Sequence, residues 1–497
     1  MNPPAALTRL NGRVALRAFV VPLFVYLVSG AVLPDSHDTT PNAYVPVSLL
    51  AHGDLAFSPL EAPVMFLWSI EGPKGAVPVT VQGWDHLAPG SDLTFAAYYQ
   101  QGALHFLVPR YFLVQTKRAR NATGEPLFVG AFGSAAGLTA LPAAIIAYLF
   151  GADLQRDAFA MFRVAKVTAA LLTAASVALV FLTALAFITR RRALLLAVIY
   201  AFGTCVWSIS SQGLWQQTPE LFFLSLGVLC VIRGDSAWIR GAAAGLAFSA
   251  AAACRPTAAI VGLAAAGYLA MSDRRSLAAY ALAALPLGLG VLAYNAYYFS
   301  SALDFGQLAA GAAIAKEKTG SAELWQTPAW VGAAGLLFSP SRGLLVYTPV
   351  FAAALAGAVL AWKDEKYASL RFLTIAVPAL WLPAFVWFDW WGGWTYGYRP
   401  IVDSAPLLAI LCVPVIDRIL ARPAWSCAFA AAAGWSVFVQ LLGVLVYTPP
   451  EWNARAVDAS GAAADIDLPE YRARLWSFRD WQIGYLIANF SALRAAR

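Results

Sequence analysis

Charge is the scarcest commodity in this chain. Only 12% of its 497 residues are Asp, Glu, Lys or Arg, against about 25% in soluble domains. A chain so poor in charge cannot cover a soluble surface, which excludes an ordinary soluble enzyme. Cysteine is scarce as well. The five cysteines (Cys205, Cys230, Cys254, Cys412 and Cys427) all sit in apolar stretches without metal-type spacing. Their odd number, with none in a polar loop, excludes a disulfide framework; they read as small buried residues. A continuous basic face is missing too. The net charge is +7, but Lys and Arg fall in small groups between apolar runs, so nucleic acid is not an expected partner. There is no internal repeat and no low-complexity linker.

What the chain has instead is hydrophobic length. Hydrophobic residues make up 60% of it and its mean hydropathy is +0.64. Runs long enough for a hydrocarbon core about 30 Å thick fall near 14–33, 164–188, 193–211, 217–232, 239–254, 256–272, 277–299, 343–362, 369–389, 400–416 and 424–447. The expected fold is an all-α polytopic membrane protein with about eleven transmembrane helices. Arg9, Arg13 and Arg17 precede the first run, and Val32-Leu33-Pro34-Asp35 follows it with no small-residue cleavage site. That segment reads as an uncleaved first span with a cytoplasmic N-terminus. Arg190-Arg191-Arg192, Arg233 with Arg240, Arg274-Arg275, Lys363 with Lys366, and Arg418 with Arg422 then all fall on the cytoplasmic side. This requires the apolar stretch 133–151 to lie at the outer interface rather than cross.

The organisation expected is therefore a first span (1–33), an extracytoplasmic loop (34–163), a bundle (164–447) with an outer loop at 300–330, and an extracytoplasmic tail (448–497). The first outer loop holds all four histidines, His37, His52, His86 and His105. Its segments 76–81 and 105–114 are rich in β-branched and aromatic residues, with Asn121 and Gly124 marking a turn, which predicts a small β-hairpin insert. No Asp, Glu, Lys or Arg falls mid-span in this scheme, where an ion-coupled transporter usually carries its relay groups. The polar chemistry lies at the outer face.

Asp38 leads the candidates there. A carboxylate just outside a span can act as general base on a hydroxyl, with His37 and Asp35 near enough in sequence to assist. A helix N-cap explains the same residue, because Pro41 follows it in what would be the first turn. Arg255, in Cys254-Arg255-Pro256-Thr257, suits phosphate through its planar fork of donors, and equally a topological anchor. In Trp390-Trp391-Gly392-Gly393-Trp394-Thr395-Tyr396-Gly397-Tyr398-Arg399-Pro400, Trp394 and Tyr398 can stack on sugar faces and Arg399 can bind phosphate. An interfacial aromatic belt is the plainer alternative. Asp389 and Asp403 flank this segment. Arg342, in Ser339-Pro340-Ser341-Arg342-Gly343, is a further phosphate candidate or a turn anchor. Asn121-Ala122-Thr123 matches a glycosylation sequon.

The order Asp38, Tyr44, Gly53-Asp54 resembles the first extracytoplasmic loop of the GT-C superfamily of polyprenyl-phosphate-sugar-dependent glycosyltransferases, which includes the lipid A aminoarabinose transferases and protein O-mannosyltransferases. The segment from Trp390 to Pro400 resembles a W-G-G-W-x-x-G-x-R segment of bacterial GT-C-like proteins, and Arg255-Pro256 looks like the short basic motif that approaches the lipid phosphate. The resemblance implies that Asp38 is the catalytic carboxylate and that Tyr44, Trp394, Tyr398, Arg255, Arg399 and Arg342 surround the donor sugar and phosphate. Two departures stand out. Thr39 replaces the family's frequent second acid, so that a two-carboxylate site would need Asp35. No Lys-Pro-Pro precedes the stretch 133–151, where Phe132-Gly133-Ser134 stands instead, leaving Lys74, Arg110 or Lys117 as substitutes.

The expected function is that of an inverting glycosyltransferase of the cytoplasmic membrane. It would move a monosaccharide from a polyprenyl-phosphate carrier to an envelope glycan, lipid or protein at the outer face, with no metal or other cofactor required. The alternatives are a polytopic transporter or flippase, whose polar path would have to run through residues such as Ser208, Ser211, Gln212 and Asn295, and a non-catalytic scaffold of the same fold.

Overall fold

A computed structural model describes residues 5–30, 36, 38–72, 75–82, 86–87, 104–109, 111–120, 125–233, 236–456 and 463–495. The protein is mostly helical and membrane-embedded. Among the described residues, six helices are long and apolar enough to cross a membrane: Asn11–Val28, Ala158–Ala184, Ala237–Cys254, Arg274–Phe299, Glu365–Val386 and Pro423–Val446. A seventh crossing arises if Arg399–Leu411 and Val413–Leu420, bent by 56° at their junction, form one span. Pro256–Ser272, Ala329–Phe338 and Pro349–Lys363 are shorter apolar helices. Several runs expected to be unbroken spans are thus interrupted. The stretch 193–211, for example, ends as a π-helical turn at Val206–Ser210.

Helix ends are set by local chemistry. Asp157 accepts the amides of Phe159 and Ala160 to start Ala158–Ala184. Asp273 does the same for Arg275 and Ser276 at the head of Arg274–Phe299. Small residues then let helices meet. A Cβ on Gly241 or Gly245 would lie 2.0 Å from the Ser276 carbonyl or 2.2 Å from that of Tyr280, so this small-xxx-small pair brings two backbones into contact. The outward faces are apolar, with Leu263, Met271, Leu282, Leu289 and Ile375 exposed, as expected where lipid rather than water is the solvent.

Charged groups gather at helix ends. Arg192 meets Asp417 at 2.8 Å, and Arg240 pairs with Asp273. Helix Ala237–Cys254 carries Arg240 near its start and Arg255 just past its end. The two arginines are 15 positions apart, about 22 Å along the helix, or three-quarters of a hydrocarbon core about 30 Å thick. One expectation needs correcting. Lys166 is buried well inside the long helix Ala158–Ala184, where its Nζ donates to Ser211 O (3.0 Å), Gln212 Oε1 (2.6 Å) and Ser29 O (3.3 Å). The span begins earlier than composition indicated, and three oxygens satisfy the amine.

The insert after the first span is larger than one hairpin. Phe66–Gly72, Gly75–Gln82, His86–Leu87 and Leu104–Pro109 form a four-stranded antiparallel sheet, in which the third, second, first and fourth strands lie side by side. Leu67 faces Thr80 on one side and Val108 on the other. Leu113–Arg120 and Glu125–Gly130 add a separate hairpin. The predicted segment 105–114 is thus split between two sheets, and residues 121–124 lie outside the described residues. The stretch 133–151 holds two helices, Ala135–Leu138 and Leu141–Leu149. The longer has nine residues, about 14 Å, roughly half the depth of a hydrocarbon core.

Candidate functional site

Helix Thr39–His52 places Asp38. Its first turn is closed by the amides of Thr39 and Thr40 on the Ser36 carbonyl, both at 3.2 Å, with Pro41 in that turn. Gly53 ends it in the left-handed region at φ 69°, its amide on Leu49 O, the conformation glycine adopts most readily. Asn42 pins the start of the helix to the bundle, donating to Leu214 O at 2.9 Å and Asp38 O at 3.3 Å. Asp38 stands at the N-cap position, yet its side chain makes no capping bond. The carboxylate instead accepts from Arg399 Nη1, 361 positions away.

Arg399 closes the aromatic segment. Its Nη2 donates to the Gly392 carbonyl at 3.2 Å, its guanidinium lies 4.5 Å from the ring centroid of Trp215, and its buried Nε has no partner among the described residues. Gly392 and Gly393 have φ of 72° and 65°. The reversed backbone presents their carbonyls to two arginines, Gly392 to Arg399 and Gly393 to Arg342.

One residue on, the Pro400 carbonyl accepts from Arg255 Nη2 at 3.0 Å, and Arg255 pairs with Asp403. Glu220 approaches the same guanidinium at 3.9 Å. The Glu220 carboxylate is fully buried, and neither of its oxygens has a hydrogen-bond partner among the described residues. Asp38, Arg399, Arg255, Asp403 and Glu220 thus form one chain of contacts drawn from four helix ends. It holds three carboxylates and two guanidiniums, all largely buried.

The other expected site residues occupy different surroundings. Arg342 is completely buried, and its donors are committed to the carbonyls of Trp391 (3.0 Å), Ser341 (2.7 Å) and Gly393 (3.2 Å) and to Asn453 Oδ1 (2.8 Å) and Gln482 Oε1 (3.3 Å). Tyr44 is buried beneath the insert, edge-on to Phe57 at 5.1 Å, and its hydroxyl donates to Glu61 O at 3.1 Å. Tyr398 is buried with its hydroxyl 2.9 Å from Thr348 Oγ1. Trp394 is 43% exposed and donates from Nε1 to Asp465 at 2.8 Å. Asp35 and His37 lie outside the described residues. Among the described residues, no three His, Cys, Asp or Glu side chains converge as a metal set.

Sequence reasoning missed Trp215, Glu220 and Gln482. Gln482, in the C-terminal tail, accepts from Tyr347 OH (2.8 Å) and Gly397 N (3.2 Å) and donates to Thr395 O (3.0 Å). The acid of Trp215-Gln216-Gln217-Thr218-Pro219-Glu220 at the head of an apolar run was its one available signal. Beside this cluster, Lys318 sits between Asp467 Oδ2 (2.8 Å) and Asp389 Oδ2 (3.4 Å). Burial pushes the Asp389 carboxyl up to about 6 despite the ammonium beside it. Burial works against the Lys318 charge, but the two carboxylates hold its amine above its ordinary value. In comparisons with known proteins, neither a family model nor a curated protein matches this chain.

Proposed function

We propose that the protein is a membrane glycosyltransferase that uses a polyprenyl-phosphate-linked sugar and acts at the outer face of the cytoplasmic membrane, on a bundle of about eleven crossings with a cytoplasmic N-terminus. The observation that carries this reading is the pairing of Asp38 with Arg399, with Arg255 one backbone residue further on. A carboxylate and two guanidiniums meet where a polar loop joins apolar helices. General-base and phosphate-binding groups need that neighbourhood when the substrate has a lipid tail.

In this reading the donor phosphate takes over the Arg399 guanidinium, whose fork suits phosphate better than a single carboxylate oxygen. Asp38 is released by that exchange. It then accepts the proton of the acceptor hydroxyl as that oxygen bonds to the anomeric carbon from the face opposite the phosphate. The anomeric carbon–oxygen bond breaks, and the phosphate leaves with the electron pair, neutralised by Arg399 and Arg255. Configuration inverts. Trp215 holds Arg399 from beneath, while Asp403 and Glu220 orient Arg255. Arg342 serves this site from behind, as the post on which the Trp391–Gly393 backbone rests.

The test is mass spectrometry of envelope glycolipids, glycans and glycoproteins from cells lacking the gene, cells with it restored, and cells carrying Asp38→Asn at equal expression. Loss of the same sugar-sized mass in the deletion and in Asp38→Asn is the expected result. Restoration by Asp38→Asn makes Asp38 a structural residue, and the catalytic assignment fails. A second reading, a polytopic transporter, draws on the buried amine of Lys166. It predicts that Lys166→Met abolishes function while Asp38→Asn does not.

A further inference from the structure

Away from the Asp38–Arg399 pair, a cleft of about 520 Å³ opens between three separate segments, within the ordinary range for a small-ligand site of about 300–1,000 Å³. Helix Gly306–Thr319 and the loop after it supply one wall, with Lys318, Thr319 and Gln326. The aromatic segment supplies the floor, with Phe388, Trp390 and Trp391. The turn Pro469–Trp476 supplies the other wall, with Arg472 and Trp476.

The cleft is built before any ligand arrives. The Lys318 amine bridges two of its walls through Asp389 and Asp467, and Trp391 Nε1 donates to Asp467 Oδ1 at 2.9 Å. Thr327 Oγ1 donates to Trp387 O at 2.6 Å, and Phe388 N to Leu324 O at 2.9 Å. Arg472 lies 4.9 Å over the Trp391 ring. At the lip, Trp476 keeps 45% of its surface exposed while packing on Trp390 at 5.4 Å.

The lining decides what fits. An acyl chain would lay hydrocarbon against the Lys318 ion pairs and leave the buried Arg472 Nε, which has no partner among the described residues, still unpaired at a cost of about 1–3 kcal/mol. A strongly anionic ligand finds the Lys318 charge already matched by two carboxylates. A pyranose meets both needs. One face of its ring is C–H and packs on an indole, and its hydroxyls accept from Lys318 and Arg472 and exchange hydrogen bonds in both directions with Thr319 and Gln326.

We infer that this cleft binds a saccharide and is the acceptor subsite, an assignment that rests on the glycosyl-transfer reading. The two sites share a backbone. Trp391 floors the cleft, and the next residue, Gly392, gives its carbonyl to Arg399, so a sugar seated against Trp476 is one loop away from Asp38.

The experiment uses the full chain in lipid nanodiscs, titrated with linear oligosaccharides of glucose, mannose, galactose and N-acetylglucosamine by saturation-transfer NMR. One of these probes binds the wild type and Asp38→Asn equally. Trp476→Ala weakens it about tenfold, as loss of a ring contact does, whereas Trp330→Ala, outside the cleft, leaves it unchanged. Tighter binding of an alkyl glycoside of the same sugar marks a lipid-borne acceptor, and equal binding a free glycan; either supports the assignment. No binding by any probe, or binding undiminished in Trp476→Ala, overturns it. Because binding is read without turnover, transfer that survives alongside absent binding sinks the cleft alone. Binding that survives alongside absent transfer sinks the enzyme reading instead.

Discussion

Replacing both members of the Asp38–Arg399 pair separates what the pair does for the fold from what Asp38 does in chemistry. The two side chains are 9% and 16% exposed, so neither charge is well solvated when its partner is lost. Removing one partner from such a buried pair costs about 3–5 kcal/mol, because the survivor is left uncompensated. Removing both costs far less. Asp38→Asn and Arg399→Gln are therefore each expected to lower the apparent Tm in nanodiscs, and the double variant to recover most of that loss. Transfer behaves differently if Asp38 is the base. Asp38→Asn lowers it by about a hundred- to ten-thousandfold, the usual worth of a positioned general base, and the double variant stays inactive with its stability regained. The assay pairs thermal scanning with the envelope sugar profile for all four proteins. A double variant that regains both stability and the sugar would refute the reasoning, since Asp38 would then be a structural ion-pair partner only.

Arg342→Met removes the donor to the Trp391 carbonyl and to Asn453 Oδ1, each loss costing about 1–3 kcal/mol. No monodisperse protein is expected on size exclusion, whereas Trp394→Ala at its half-exposed site elutes as wild type. Gly245→Val drives a side chain into the Tyr280 carbonyl, 2.2 Å from the position of a first Cβ, and should separate the two helices and abolish thermal stability gained from that contact. The Asp389 carboxyl, raised from 3.8 to about 6 by burial, takes up a proton more readily folded than unfolded, so its ionised form weighs against the fold above pH 6. Asp389→Asn is therefore expected to be more stable than wild type above that pH. The gap should close as pH falls from about 6 towards 3.8; a gap that widens on acidification contradicts the sign.

Much of the architecture was legible from hydropathy, because lipid demands long apolar runs wherever backbone polar groups must be satisfied internally. The helices near 164–188, 239–254, 277–299, 369–389 and 424–447 all stand close to where composition put them. Breaks within runs were less legible. The bend after Leu411 falls at Pro414, just inside the start of the next helix, where proline breaks the backbone ladder; the π-turn at Val206–Ser210 has no such marker and leaves no gap in hydrophobicity. The β insert was visible only as one hairpin, since strand pairing such as Leu67 with Val108 joins segments far apart in the chain.

The candidate site divides the same way. Residue type and a place beside an apolar run were enough to single out Asp38, Arg255 and Arg399, because charge in so apolar a chain needs a reason. By itself the sequence determined that the protein is a helical membrane protein with most of its charged groups at helix ends, Lys166 being the exception the structure revealed. Only the tertiary structure decided that Asp38 meets Arg399 rather than capping its own helix, that Arg342 is spent on five oxygens, and that Glu220 and Trp215 belong to the same cluster. Those outcomes depend on which groups arrive within about 3 Å of each other once the helices pack, and local sequence carries no record of a partner 361 residues away.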